Sequence, residues 1–102
     1  MNFKIIVSQD AKSDIKATIS YYETIRQGLG KDFYLSYVEV EKFLRKHPKL
    51  YPVIEEEIHR AIVSKYPYAV FYSVNDAEQI VDILAVIHSK RNPKYIRKRL
   101  KL

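Results

Sequence analysis

Apolar residues change their spacing partway along this chain, and the change divides it in two. Phe3–Val7 is a short apolar run and reads as an opening strand. Ser8 stands where a helix N-cap is needed, because its side-chain oxygen can accept from a free backbone N–H of the first turn. After it, Ala11, Ile15, Ile19, Tyr22 and Ile25 recur at intervals of three and four, which places them on one stripe of a helix. Gly28 and Gly30 are the only glycines; the first stops the helix and the pair turns the chain. Leu29, Phe33, Tyr37, Val40 and Leu44 form the stripe of a second helix, which Pro48 ends. So short a turn predicts an antiparallel helical hairpin.

Beyond Pro48 the pattern becomes strand-like. Pro48, Tyr51-Pro52 and the acidic run Glu55-Glu56-Glu57 predict an irregular connection. Three strand-like runs follow: Ile58–Tyr66, Ala69–Val74 and Gln79–His88. The last is apolar enough to be buried on both faces. Asn75-Asp76-Ala77-Glu78 joins the last two runs as a hairpin turn. Asn92 and Pro93 can open a short basic terminal helix. The expected architecture is α+β, ordered β-α-α-β-β-β. A helical hairpin packs on one face of an antiparallel sheet, with a short C-terminal helix, in a single domain over residues 1–102.

Composition adds limits. Hydrophobic residues make up 47% of the 102, enough for a packed core. With no cysteine, a disulfide framework, a thiolate metal site and a cysteine nucleophile are excluded. The apolar stretch near Met1 is shorter than the roughly 7–15 residues of a secretion signal. No segment reaches the roughly 20 apolar residues of a membrane span, so a cytoplasmic location without membrane contact is expected. The formal net charge of +6 is unevenly placed. Lys90, Arg91, Lys94, Arg97, Lys98, Arg99 and Lys101 crowd the C-terminal end with no acidic residue among them, whereas the rest of the chain is nearly neutral. Such a cluster attracts nucleic acid or an acidic protein.

Few residues are placed for chemistry. Arg60 lies in a strand among apolar neighbours, where an unpaired charge is costly. It reads either as an anion-binding group on the open face of the sheet or as the partner of a glutamate from Glu55–Glu57. His88 ends the most apolar strand, with Arg91 three residues on, and could move a proton near neutral pH or be hydrogen-bonded at the sheet margin. Tyr95 could stack on a base or anchor the terminal helix. His47 and His59 have weaker claims, and the three histidines lack metal-site spacing, so neither a metal nor a cofactor is expected. Neither a glycine-rich phosphate loop nor a nucleophile elbow is present.

The order and spacing of these pieces resemble the RelE/ParE toxin superfamily, especially its ParE-like branch. The resemblance runs through Ala11-x-x-Asp14-Ile15, Tyr21-Tyr22-Glu23, Gly28-Leu29-Gly30-x-x-Phe33, His47-Pro48 and Tyr51-Pro52. It continues through Arg60, Tyr66-Pro67-Tyr68 and Tyr72 to His88-x-x-Arg91-x-Pro93-x-Tyr95. It implies a growth-inhibiting toxin that assembles with a cognate antitoxin. The basic end, with Lys90, Arg91, Lys94, Arg97, Lys98 and Arg99, would be the surface for antitoxin or target. RelE-like members cut messenger RNA on the ribosome without a metal. There the resemblance would give Arg60, His88, Arg91 and Tyr95 catalytic roles, with Arg91 a phosphate clamp and Tyr95 a stacking or proton-donating group. The tyrosine that directly follows the histidine in some nucleases is Ser89 here. ParE-like members inhibit DNA gyrase and need no catalytic set. Pro67-Tyr68 and His88-x-x-Arg91-x-Pro93 look more like that branch, so gyrase inhibition is the expectation and the nuclease the alternative. A non-toxic RNA- or protein-binding module is a further one.

Overall fold

The computed structural model describes residues 2–102 and arranges eight elements. In chain order they are β1 (Lys4–Val7), α1 (Gln9–Ile25), α2 (Leu29–Lys46), β2 (Val53–Glu55), β3 (Ile58–Ile62), β4 (Tyr68–Asn75), β5 (Ile80–His88) and α3 (Pro93–Arg99). The five strands form one sheet in the order β1-β5-β4-β3-β2. The helices begin where the sequence signals lie. Ser8 Oγ accepts from Ala11 N at 3.1 Å, and Gly28 turns the chain with φ of +88°. At the start of α2 the Glu23 carboxylate accepts from the backbone N–H groups of Gly28 and Gly30, both at 3.0 Å. That meets two donors left free by helix geometry and favours the positive end of the helix dipole.

Several expectations need correction. The sheet is mixed: β2–β3–β4–β5 pair antiparallel, but β1 runs parallel to β5, with Lys4 opposite Ile80 and Val7 opposite Ile83. An apolar run carries no direction, and β1 is placed by the free edge that the β4–β5 hairpin leaves on the buried β5. The strand read over Ile58–Tyr66 stops at Ile62, because the chain must turn before Pro67. The supposedly irregular stretch before it holds the short strand β2, joined to β3 through Glu56 and Glu57 at φ of +44° and +67°. Two consecutive left-handed residues match the twist of a tight hairpin, a role normally taken by Asn-Gly. Ile25, read as part of the buried stripe, is 56% exposed at the end of α1.

Both faces of the sheet are covered. On one side Ala11 and Ile15 of α1 and Phe33, Tyr37, Val40 and Leu44 of α2 pack on Ala61, Val70, Tyr72, Val81, Ile83 and Val86. On the other, Tyr95, Ile96, Leu100 and Leu102 pack on Ile58, Ala69, Phe71, Ala85 and Ile87. The terminal helix therefore closes a second, smaller core, and the sheet face expected to be open is capped. A bulge between β4 and β5 makes this possible: Phe71 pairs with Ala85 but Tyr72 with Ile83, so Leu84 is the extra residue and the side-chain alternation of β5 reverses there. The displaced Leu84 carbonyl accepts from Ser8 Oγ at 3.2 Å.

Candidate functional site

β1 ends at Val7, opposite Ile83, whereas β5 runs on to His88, so the last part of β5 has no strand beside it on that edge. Asp14, one turn into α1, fills the gap. Its Oδ2 accepts from Val86 N at 3.0 Å and from Arg99 Nη2 at 2.7 Å. One carboxylate thus ties α1, β5 and α3 together. The bond to Asp14, ahead of a smaller contribution from the Tyr95 hydroxyl, holds the Arg99 guanidinium well above its ordinary pKa. Arg99 also donates to Tyr95 Oη at 3.0 Å, and the Arg91 guanidinium lies 3.8 Å from the centre of the Tyr95 ring.

Around this tie are two recesses at the C-terminal end of β5. The first, about 160 Å³, lies between α1 and α3 and is lined by Asp14, Thr18, Tyr68, His88, Arg91, Tyr95 and Arg99. The second, about 340 Å³, lies under the start of α3 and is lined by Glu55, Arg60, Phe71, Ser89, Arg91, Ile96 and Arg97 among others. Arg91 borders both.

The four residues read as a possible catalytic set do not share one cleft. Arg60 pairs with Phe71 across β3 and β4 and follows Ile58 at strand spacing, so its side chain belongs to the face covered by α3. His88 follows Val86 at the same spacing, on the face of the helical hairpin, and its ring meets Tyr68 edge-on at 5.2 Å. Its Nδ1 accepts from Lys90 N at 3.1 Å. A neutral His88 therefore carries its proton on Nε2, leaving a donor and no free acceptor nitrogen. His59 is buried, bonded through Nδ1 to the Tyr51 carbonyl at 2.8 Å and stacked on Tyr72. His47 caps α2 against Phe43. His47 lines a recess of about 720 Å³ beside α2 and His59 one of about 280 Å³, both away from Arg60 and His88, and the described residues hold no cluster of histidine and acidic side chains fit for a metal ion.

The glutamate run does not pair with Arg60. Glu55 takes Arg97 instead, and Glu56 and Glu57 form the exposed hairpin turn. Arg60 has no ion pair among the described residues, and its Nε is buried without a hydrogen-bond partner. Along the basic end, Arg97 and Arg99 are thus engaged with carboxylates, whereas Lys90, Lys94 and Lys98 are exposed and unpaired among the described residues. In the sequence, Asp14 and Glu23 carry no assigned role, and Glu55 reads as a possible partner of Arg60, whereas it pairs with Arg97. Asp14 stands 85 positions from Arg99, and nothing local to either residue announces the pair.

Residues 5–93 match the family described as the ParE toxin of type II toxin–antitoxin system, parDE. Among solved structures, the chain is similar to the chromosomal ParDE system of P. aeruginosa, with a TM-score of 0.75 at 14% identity, over 86% of this chain and 97% of that one. The archaeal RelE–RelB complex of Pyrococcus horikoshii gives 0.63 at 20% identity, over 90% and 100% of the two chains. RelBE2 of Mycobacterium tuberculosis gives 0.58 at 18% identity, over 86% and 99%. At such identities the structural likeness speaks for the fold alone. No curated protein matches the sequence. With the sequence match spanning α1, α2 and the sheet from Ile5 of β1 through β5, the chain belongs to the ParE toxin family of type II toxin–antitoxin systems.

Proposed function

We propose that this toxin acts in the cytoplasm, is held inactive by a cognate antitoxin and, once free, arrests growth by inhibiting DNA gyrase. The observation that carries this reading is the separation of Arg60 and His88 onto opposite faces of the sheet. Strand cleavage through a ribose hydroxyl needs a base, a phosphate clamp and an acid around one phosphate. Here the histidine has no free acceptor nitrogen and the strand arginine lies beneath α3. The molecule offers a binding surface instead, in the exposed Lys90, Lys94 and Lys98. Among the described residues, no helix is long and apolar enough to cross a membrane.

The test is a pair of assays on the purified protein. Gyrase supercoiling should be inhibited in proportion to toxin, and that inhibition should disappear when antitoxin is added. Messenger RNA on programmed ribosomes should stay intact. Cleavage there, lost in both Arg60→Ala and His88→Ala, would overturn the proposal. The nuclease reading keeps two observations in its favour: Arg60 and Arg91 line one recess, and His88, Arg91 and Tyr95 line the other.

A further inference from the structure

The pairing of β2 with β3 reaches only Ile58 and His59, and just past it Arg60 N donates to Pro52 O at 3.2 Å. Beyond Arg60, β3 has no strand on this edge. Val63 N donates to Tyr68 O at 2.9 Å, so the alternation of the ladder turns the Ile62 N–H and C=O away from β4. Neither group has a backbone partner among the described residues. A cleft of about 720 Å³ lies between this edge, at Ile62 and Ser64, and α2. From the α2 side it receives Phe43, which is 37% exposed. Tyr51 meets the Phe43 ring edge-on at 5.5 Å, and His47 lies tilted against it at 5.1 Å. Tyr51 is fixed in turn, since the buried His59 ring bonds its carbonyl at 2.8 Å. The rim carries Lys42, Arg45 and Lys46 against one carboxylate, that of Glu39. Lys46 has no ion pair among the described residues.

We propose that this cleft binds a purine nucleotide, the base stacking on Phe43, the Ile62 main chain pairing with the edge of the base, and Lys42 and Lys46 taking the phosphate. An exposed ring braced by other rings offers a base its face at little cost in side-chain entropy. The Ile62 N–H and C=O present a donor and an acceptor on one side, which the N1 and exocyclic amine of adenine match. A backbone N–H beside a partly apolar cleft favours a ligand that accepts from it. The excess of cations at the rim suits a phosphate, and the volume falls in the range of small-molecule sites, roughly 300–1,000 Å³. A peptide strand added to this edge would need a run of free backbone groups. β3 offers only Ile62, because the chain turns away at Ser64. The cleft lies apart from Arg60 and His88, and the assignment holds whichever target the toxin has.

The experiment uses the full chain, labelled with nitrogen-15 and followed by NMR. The probes are adenosine 5′-monophosphate, uridine 5′-monophosphate, inorganic phosphate and the peptide acetyl-Leu-Asp-Glu-Leu-amide. The adenosine nucleotide should shift the Ile62 and Ser64 amide signals saturably, and its base protons should move upfield over the Phe43 ring. The Nε–H signals of Arg60 and Arg91 should stay in place. The uridine nucleotide, with its smaller ring, should bind about threefold less tightly. Phe43→Leu should weaken binding by about tenfold, the loss of one stacked base. Lys46→Gln should weaken it by about threefold and make it less sensitive to salt. The exposed Lys46 keeps the test open if the Phe43 variant fails to fold. The assignment is overturned by no saturable shift at Ile62, by an equal shift there from phosphate alone, or by shifts at Arg60 and Arg91 instead. Equal binding of the uridine nucleotide, tighter binding of the peptide, or undiminished binding in both variants would overturn it as well.

Discussion

Asp14 and Arg99, 85 positions apart in sequence, meet at 2.7 Å, and the same Asp14 oxygen accepts from Val86 N. Both side chains are mostly shielded, at 16% and 22% exposure. Removing one partner leaves the other charge poorly solvated and, for Asp14, also orphans a backbone N–H. Asp14→Ala is expected to destabilise the fold by about 2–4 kcal/mol and Arg99→Ala by less. In a double-mutant cycle read by urea unfolding, the two losses should fall short of additive by at least about 1 kcal/mol. Strict additivity would show that the pair is not an energetic unit.

The two glycines of the inter-helix turn should fail for different reasons. A Cβ on Gly30 would sit 2.6 Å from the Ile19 carbonyl oxygen of α1, so the helices must separate. Better helix propensity, worth about 1 kcal/mol, does not offset that shift, and Gly30→Ala is expected to cost about 2–3 kcal/mol net. A Cβ on Gly28 meets nothing within 4 Å, and Gly28→Ala pays only for its left-handed backbone, about 1 kcal/mol. Thermal unfolding of the two variants should rank them in that order.

High pH should unfold the protein through its tyrosines. Burial pushes the Tyr66 hydroxyl up to about 12, helped by its hydrogen bond to Asp32, and burial also raises Tyr22 and Tyr72. The unfolded chain loses this proton near pH 10, whereas the folded chain keeps it until about 12. The contribution is therefore fully present below pH 10 and is lost as pH rises through 12. Unfolding titrations between these limits should show stability falling with pH, and Tyr66→Phe should flatten the slope. An unchanged slope would remove Tyr66 from the account.

The basic end should divide into structural and binding charges. Arg97 and Arg99 hold α3 through Glu55 and Asp14, so replacing both with Gln should lower the melting temperature. The exposed side chains of Lys90, Lys94 and Lys98 make no ion pair among the described residues, and changing all three to Gln should leave the fold unchanged. In the supercoiling assay the triple lysine variant should inhibit about tenfold less, because exposed charges act mainly on encounter and partner choice. Full inhibition by that variant would move the target surface elsewhere.

Much of this fold was legible because local signals and tertiary packing agree. The stripe of Phe33, Tyr37, Val40 and Leu44 is wholly buried, and Ser8 and Asn92 cap the helices they precede. The candidate site was less legible. Arg60 and His88 read as possible neighbours because sequence shows only that each lies on a strand. Which face each side chain takes depends on register, and a single extra residue at Leu84 reverses that for the end of β5.

The helical hairpin, the apolar β5, the concentration of positive charge after His88 and the toxin-family pattern are all written in the amino-acid order. These follow from short-range periodicity, capping and composition, which each segment carries within itself. Three features arise from folding in space: β1 lies parallel to β5, α3 closes the second face of the sheet, and Asp14 and Glu55 claim Arg99 and Arg97 while Arg60 goes unpaired among the described residues. Those outcomes depend on which free edges and free charges meet in space, and the meeting partners lie tens of residues apart.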